Sequence, residues 1–485
     1  MDKWLSARGG RVVKAFGNVA LWGVVEGLWT PRGPGSALQA LACMGVSLAA
    51  GWIAGFYGRS RWYILLAPVT FWVVLEVVRA GAQGPSVDAV RFTTFGMLAL
   101  VTGRLPYAVL TLLPMAVGAA FGAGAARRRA GVRAARLPRY AGRAVTVLSA
   151  VVVAGVAVVV ALPGRTAPVA GGGGVAELAG VSVNGHRFGV MIRGADAAAP
   201  VLLYVPGPPG GSEIGAMRRH LAGLEQRFVV ATWDRRGGGK SFAAFEPTAT
   251  LTTEDEVRST VAMAEYLRER FRRDRVYLAA HSGGSMVGVL AVQRRPELFA
   301  AYIGIGQAVA PPAADAAQYQ DTLAWARATG KAELARRLVE LGPPPYGDGY
   351  SYEPMLTSEP KVYAYDHGPN SEGAGGFAES LGVPEYSLLD QAHVIGGLVD
   401  AYDLLYPRMQ GIDLRRQVNR LDVPVYFAVG AHEVPVRVRL LSEWSDLLQA
   451  PHKETVTFAT SGHRPQFEQP AEFVRFAERV LAETS

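Results

Sequence analysis

VYLAAHSGGSM, residues 276–286, is the stretch that decides the fold of this 485-residue chain. Apolar and small residues that favour a strand lead into Ser282, and two glycines follow it at once. Ser282 therefore stands at the apex of a tight turn between a strand and a helix. Such a turn is strained and needs small residues two positions before and after the serine, here Ala280 and Gly284. The first position is usually glycine, so Ala280 is a mild departure from a nucleophile-elbow pattern.

A serine hydroxyl is a poor nucleophile unless a base accepts its proton and a carboxylate orients that base. In chains built on such an elbow the order is serine, acid, histidine. Glu433 stands just past a downstream strand signal, and His463 is the one histidine after the last strand signal. Asp422 is an alternative acid, but it precedes its strand and so falls at the wrong edge of the sheet. We therefore predict Ser282, Glu433 and His463 as catalytic residues.

Strand and helix signals alternate on both sides of the elbow. A hairpin is expected over 181–193, turning at Asn184 and Gly185, and a helix is expected from a capping box at Thr253 to about Arg273. Further strand signals fall at 201–205, 228–234, 275–280, 300–305, 423–429 and 455–459. This alternation predicts an α/β fold with a mostly parallel sheet covered by helices on both faces. It breaks at about 310–420, where helices at 321–341 and 390–406 predict a cap.

The first third of the chain has a different composition. Residues 1–165 contain 18 Lys and Arg but only 4 Asp and Glu, which gives a net charge of +14. The remainder contains 31 Lys and Arg and 37 Asp and Glu, which gives a net charge of −6. Because the globular part is acidic, we expect no nucleic-acid binding despite the overall charge of +8. The single cysteine, Cys43, excludes a disulfide framework and a zinc site of paired cysteines. No cluster of residues suggests a metal or another cofactor.

Apolar segments in this third approach or reach the roughly 20 residues that cross a bilayer as a helix; they lie at 37–57, 62–78, 105–126 and 144–162. The third contains a small-residue run, Gly118, Gly122 and Gly124, that favours close helix contact. Segment 12–29 is interrupted by charged and polar residues, so four and five crossings both remain open. Segment 92–101 is too short to cross and is expected to be a separate re-entrant or interfacial piece.

Seven arginines and no acidic residue lie between the last two of these segments, at 127–143. The positive-inside tendency places that loop in the cytoplasm. The last helix then runs outward and delivers everything after Pro163 to the extracytoplasmic face. We expect a multi-pass cell-membrane protein in contact with the lipid bilayer, with a transmembrane domain at 1–163, a flexible glycine-rich linker at 164–180 and a globular domain at 181–485.

The globular part resembles α/β-hydrolases of the prolyl iminopeptidase-like type, because four local patterns occur in the family's order. VPGPPGGS at 205–212 is similar to the family's His-Gly-Gly-Pro-Gly-Gly loop, and WDRRGGGKS at 233–241 is similar to Asp-Gln-Arg-Gly-x-Gly-x-Ser. The elbow and the ending Ser-Gly-His-x-Pro followed by Glu-x-Pro, at 461–470, complete the set. The resemblance implies the α/β-hydrolase fold with a helical cap. The membrane third has no counterpart in the family's soluble enzymes.

The resemblance also implies an aminopeptidase that releases an N-terminal residue, typically proline, from short peptides through an acyl-enzyme. In that family, acidic residues of the cap capture the free amine. Glu379 and Glu385 are the candidates here, and Glu372 and Asp390 lie in the same region. A serine triad does not separate amides from esters, so an esterase or lipase acting on acyl substrates near the membrane remains an alternative.

The resemblance implies an oxyanion hole formed by the N–H of Gly283 and by an N–H of the family loop. Pro208 falls where the loop's second glycine gives that N–H, and proline has none to give. Loss of one such donor costs about 10²–10³ in rate. Either Gly207 or Gly210 donates instead, or Gly283 acts largely alone, or the chain is a weak enzyme or a catalytically impaired binding or signalling module.

Overall fold

The structure is a computed structural model that describes residues 2–131, 136–170, 173–363 and 376–485. The chain divides into two compact units. One consists of Met1–Pro163 with Ser387–Ala392, and the other of Gly164–Tyr386 with His393–Ser485. Six residues of the expected cap, Ser387–Ala392, therefore group with the N-terminal unit.

Long helices make up the N-terminal unit: α1 (Asp2–Trp29), α2 (Ala37–Gly58), α3 (Tyr63–Val78), α4 (Thr94–Arg129) and α5 (Arg136–Ala161). Within the described residues, four helical stretches are long and apolar enough to cross a membrane: Ala37–Gly58, Tyr63–Gly81, Thr94–Arg129 and Tyr140–Ala161. They contain most of each of the four apolar segments expected from the sequence. Helix α1 is not one of the four.

The expectation of a separate piece at 92–101 is wrong, because most of it forms the start of α4. The Thr93 side chain accepts the N–H of Gly96 and caps the helix, which continues through Pro106 and Pro114. Two of the three expected small residues then permit close packing of α2 on α4. A Cβ atom at Gly118 would lie 2.0 Å from the carbonyl oxygen of Leu48, and one at Gly122 would lie 2.0 Å from that of Trp52.

One eight-stranded sheet organises the second unit, in the order β1-β2-β4-β3-β5-β6-β7-β8. The strands are β1 (Val175–Val183), β2 (His186–Gly194), β3 (Val201–Val205), β4 (Val229–Trp233), β5 (Val276–His281), β6 (Phe299–Ile305), β7 (Val425–Gly430) and β8 (Lys453–Phe458). Only the pairs β1–β2 and β2–β4 are antiparallel. The mostly parallel sheet predicted from the alternating signals is confirmed.

The hairpin at the sheet edge begins earlier than expected. Asn184 and Gly185 both have positive φ, of 48° and 75°, which suits a two-residue hairpin turn. Strand β1 nevertheless starts at Val175, so the last residues of the expected flexible linker belong to the sheet. Earlier in that segment, the N–H of Arg165 donates to the carbonyl of Pro384 at 2.6 Å. Glycine content alone therefore did not predict these ordered contacts at the two ends of the segment.

Helices cover both faces of the sheet. They are α6 (Ile214–His220), α7 (Thr253–Arg270), α8 (Ser282–Arg294), α9 (Pro311–Ala328), α10 (Ala332–Leu341), α11 (Glu353–Leu356), α12 (Glu359–Val362), α13 (Leu388–Leu405), α14 (Leu414–Gln417), α15 (Pro435–Leu447), α16 (Pro465–Glu468) and α17 (Pro470–Thr484). Alternate residues of the central strands face opposite cores. Leu203 packs in a core with residues of α7, α8 and α15, whereas Leu202 packs in a core with residues of α6 and α17.

Two details of the predicted helices change. The cap of α7 is Thr252, whose side chain accepts the N–H of Asp255, one residue before the expected Thr253. The helix expected over 321–341 is broken at Gly330, which has a φ of +68° and separates α9 from α10. Helices α9 to α14 lie between β6 and β7 in the chain, where the cap was expected.

Candidate active site

The elbow has the geometry that its sequence predicts. Strand β5 ends at His281 and α8 begins at Ser282, whose φ of 48° lies in a region that residues other than glycine rarely adopt. A Cβ atom at Gly284 would lie 2.2 Å from the carbonyl oxygen of Pro206, so only glycine fits there. The methyl group of Ala280 fits because Gly288 of α8 faces it, at 2.9 Å from the position of a Cβ. A glycine in the helix thus compensates for the missing glycine in the strand.

The structure brings Ser282, His463 and Glu433 into contact. His463 Nε2 lies 2.8 Å from Ser282 Oγ, and His463 Nδ1 lies 2.5 Å from Glu433 Oε2. The three residues follow β5, β8 and β7, so they meet at the carboxyl edge of the parallel strands. The alternative acid, Asp422, precedes β7 and instead accepts a hydrogen bond from Arg420 Nε at 2.7 Å.

Charge and burial set the protonation states of this trio. Burial raises the pKa of Glu433, but the neighbouring His463 and Arg437 outweigh it and lower the pKa to about 2. Burial lowers the pKa of His463, with Arg437 adding to the effect and Glu433 opposing it. At neutral pH the carboxylate is therefore ionised and the imidazole neutral. Such an imidazole accepts a hydroxyl proton at Nε2 while the carboxylate stabilises the charge that results.

The loop after β3 supplies fewer N–H donors than the family pattern implies. Gly207 donates its N–H to Glu213 Oε1 at 3.4 Å, and Pro208 and Pro209 have no N–H. Gly207 therefore does not replace the donor that is missing at Pro208. Gly283, by contrast, is in the first turn of α8, where a backbone N–H has no acceptor within the helix.

A cavity of about 160 Å³ opens over Ser282. Its lining includes Pro208 and Pro209 on one side and, from the cap, Asp315, Tyr352, Met355, Tyr402 and Tyr406. Asp315 is 4% exposed and accepts hydrogen bonds from the Tyr406 hydroxyl at 2.8 Å and from Gln410 Nε2 at 3.0 Å. Burial outweighs these bonds and raises the pKa of Asp315 to about 6. The cavity thus places a buried carboxyl group in the same space as the Ser282 hydroxyl.

The two acids expected to bind an amine do not line this cavity. Glu379 Oε2 lies 2.8 Å from His220 Nε2, and Glu385 accepts hydrogen bonds from Arg218 Nε at 2.9 Å and from the Thr166 hydroxyl at 3.1 Å. Side chains from outside the cap therefore contact both carboxylates. Asp390 accepts the N–H of Ser387 at 2.9 Å, and Glu372 lies outside the described residues.

Sequence reasoning missed two groups at the site, Asp315 and Arg437. Arg437 Nη1 lies 3.3 Å from Glu433 Oε1 and 3.1 Å from Glu359 Oε1, so this guanidinium joins the triad carboxylate to the cap. It stands four residues after Glu433, a spacing that pairs opposite charges near a helix start and was a usable signal. No comparable signal marks Asp315.

One group of possible metal ligands occurs among the described residues, at His452, Glu454 and Glu483, whose ligand atoms lie within 4.8 Å of one another. Arg479 Nη1 lies 2.7 Å from Glu454 Oε2 and 3.5 Å from Glu483 Oε1. A guanidinium therefore already lies against both carboxylates. None of these residues lines the cavity over Ser282.

Comparison with known proteins agrees with the fold. Residues 200–470, more than half of the chain, match the model of the alpha/beta hydrolase fold family. The chain is 27% identical over 308 residues to the probable aminopeptidase YbaC of Bacillus subtilis (strain 168), covering 63% of this chain and 96% of that protein. A solved proline iminopeptidase-related protein from Thermus thermophilus is 21% identical, with a TM-score of 0.47; the match covers 64% of this chain and 98% of that protein. The carboxylesterase CesB from Bacillus subtilis is 17% identical, with a TM-score of 0.42; the match covers 63% of this chain and 92% of that protein. The chain belongs to the α/β-hydrolase fold family.

Proposed function

We propose that the chain is a membrane-anchored serine hydrolase that acts as a prolyl iminopeptidase-like aminopeptidase on short peptides. The observation that carries this proposal is the hydrogen-bonded series from Ser282 Oγ through His463 to Glu433, with distances of 2.8 and 2.5 Å. The relative YbaC, described as a probable aminopeptidase, supports the choice of peptides over other acyl substrates.

In the proposed reaction, Ser282 Oγ attacks the carbonyl carbon of the first residue while His463 Nε2 takes the hydroxyl proton. The new C–O bond gives a tetrahedral intermediate whose oxyanion accepts the N–H of Gly283. His463 then returns the proton to the leaving amine as the C–N bond breaks. Water, deprotonated by His463, attacks the acyl-enzyme, and the released amino acid leaves Ser282 free.

Asp315 is our candidate for binding the free amine, in place of Glu379 and Glu385. Its carboxylate is buried in the cavity wall, and the side chains of Tyr406, Gln410 and Tyr352 leave one of its roughly four acceptor sites for a ligand. An ammonium group would form a charge-assisted hydrogen bond with it. This contact would hold the N-terminal residue in the cavity with the first carbonyl near Ser282.

Ester hydrolysis is the second candidate, and one observation favours it. The loop segment Gly207–Pro209 directs no backbone N–H towards Ser282, so Gly283 would stabilise the oxyanion with little help. Loss of an oxyanion donor penalises every acyl transfer. Esters tolerate that loss better because an alkoxide leaves more readily than an amine.

The experiment uses the full chain in detergent micelles. Turnover of proline-naphthylamide and of a nitrophenyl ester is measured for the wild type and for Ser282→Ala. We expect both activities in the wild type and neither in the variant. Ester turnover without amide turnover would overturn the aminopeptidase assignment, and turnover that survives Ser282→Ala would overturn the serine mechanism.

A further inference from the structure

A second histidine lies beside the proposed nucleophile and is not part of the triad. His281 is the last residue of β5, and it is 2% exposed. Its Nδ1 lies 3.2 Å from Glu213 Oε1, and its Nε2 lies 3.3 Å from the backbone carbonyl oxygen of His463. The side chain therefore bridges a buried carboxylate and the main chain of the proposed general base.

The partners of His281 define where its protons are. A backbone carbonyl only accepts hydrogen bonds, so Nε2 must carry a proton to bond His463. Glu213 is 6% exposed and also accepts the Tyr204 hydroxyl at 2.6 Å and the N–H of Gly207 at 3.4 Å. Because a hydroxyl donates to one carboxylate oxygen of Glu213 and an N–H to the other, we take the carboxyl group as ionised, so that it only accepts hydrogen bonds. His281 Nδ1 must then carry a proton as well.

The resulting pair connects three segments of the site. Glu213 holds the Gly207 loop after β3, His281 belongs to the elbow, and the carbonyl that it binds belongs to the loop that carries His463. Glu433 restrains His463 through a hydrogen bond to its imidazole ring, whereas His281 restrains the same residue through a hydrogen bond to its backbone carbonyl. Both restraints act on the 2.8 Å distance between His463 Nε2 and Ser282 Oγ.

We propose that the buried His281–Glu213 ion pair is a positioning device that holds His463 and the Gly207 loop in place for catalysis. The inference rests on the proposed function of Ser282 and His463. His281 contributes no atom to the reaction. Loss of the pair lets His463 move, and a misplacement of about 1 Å can cost about 100-fold in rate.

The pair also sets the charge next to His463. The rings of His281 and His463 are 5.2 Å apart between centroids, so the cation disfavours protonation of His463. Other charged or titratable groups act on this cluster: Tyr204 beside Glu213, Arg464 in the loop of His463, and Glu433 and Arg437 at His463 itself. Substitution of His281 alone removes the cation and leaves the anion of Glu213. The pKa of His463 then rises, so the acid limb of the kcat/KM profile moves to higher pH.

The test compares His281→Gln, Glu213→Gln and the double variant in the full chain, with proline-naphthylamide as substrate. Both single variants should lower kcat about 10- to 100-fold while KM changes less than about twofold, because positioning affects the chemical step. His281→Gln should raise the pH of the acid limb of kcat/KM by about one unit. The double variant should shift it less, because both charges are gone. His281→Leu, which cannot donate to His463, should be slower than His281→Gln.

The matched control is His452→Gln, since His452 is exposed and lies outside the cavity lining. It should leave kcat and the acid limb unchanged. If kcat and the acid limb of His281→Gln equal those of the wild type, the positioning role is overturned and the proposed function stays intact. No turnover by the wild type overturns both. Glu213→Gln keeps the size of the side chain, so an unchanged kcat in this folded variant contradicts the proposal even where His281→Gln does not accumulate.

Discussion

Replacement of Glu433 by glutamine tests how the proposed triad works. The carboxylate accepts the Nδ1 proton of His463 at 2.5 Å, and its second oxygen accepts the N–H of Val434 at 2.8 Å. Glutamine keeps the shape and the Val434 contact but removes the charge that stabilises imidazolium, and its amide N–H₂ favours the wrong tautomer of His463. In serine proteases the corresponding replacement of the triad aspartate by asparagine lowers kcat about 10⁴-fold, so we expect a loss of about 10³–10⁴, or about 4–5 kcal/mol of transition-state stabilisation.

The assay is kcat and KM for proline-naphthylamide with the full chain in micelles. Because Glu433 touches the base and not the cavity, KM should stay within about threefold of the wild type. Asp422→Asn is the matched control and should leave both constants unchanged, because Asp422 contacts Arg420 instead. A Glu433→Gln variant within about tenfold of wild-type kcat would refute the role of Glu433, as would a comparable loss in Asp422→Asn.

Three further predictions address the cavity, the loop after β3 and the side of the membrane on which the second unit lies. Asp315→Asn should raise KM about 10- to 100-fold for substrates with a free N-terminus but not for a nitrophenyl ester. Equal effects of this variant on both substrates would exclude Asp315 as the amine site. Since the pKa of Asp315 is about 6, the wild-type KM for amine substrates should also rise as the pH falls through 6. Pro208→Gly should raise kcat about tenfold by restoring an N–H near the oxyanion; an unchanged or lower kcat would mean that this position does not face it. A protease added to intact cells should cleave the second unit if it is extracytoplasmic, and cleavage only after the cells are opened would reverse that orientation.

Much of the fold was predictable because its signals are local. Each buried parallel strand is a short run of Val, Tyr, Phe or Leu, and the observed bounds of β3 to β7 lie within two residues of the expected ones. The four helical stretches that are long and apolar enough to cross a membrane were also predictable, since length and apolar composition are properties of single segments. The start of α4 was not, because the Thr93 cap merges a short apolar piece with the long helix that follows.

The same distinction between local sequence signals and packing applies to the site. Ser282, Glu433 and His463 follow the carboxyl ends of β5, β7 and β8 in a fixed order, so chain order alone could bring them together. Which carboxylate of the cap faces the cavity depends on packing instead. Glu385 is held by Arg218 and Thr166, and Asp315 is buried beside Tyr406. These partners lie far away in the chain, so no local motif separates Asp315 from the other acids.

The most direct test of the account is the site at which a fluorophosphonate reacts with the full chain. A serine activated by a neutral imidazole should form the adduct at neutral pH, and the peptide that contains Ser282 should gain the mass of the phosphonyl group. We predict this adduct on Ser282 in the wild type and its absence in both Ser282→Ala and His463→Gln. An unmodified Ser282 in the wild type, or equal modification in His463→Gln, would contradict the central claim.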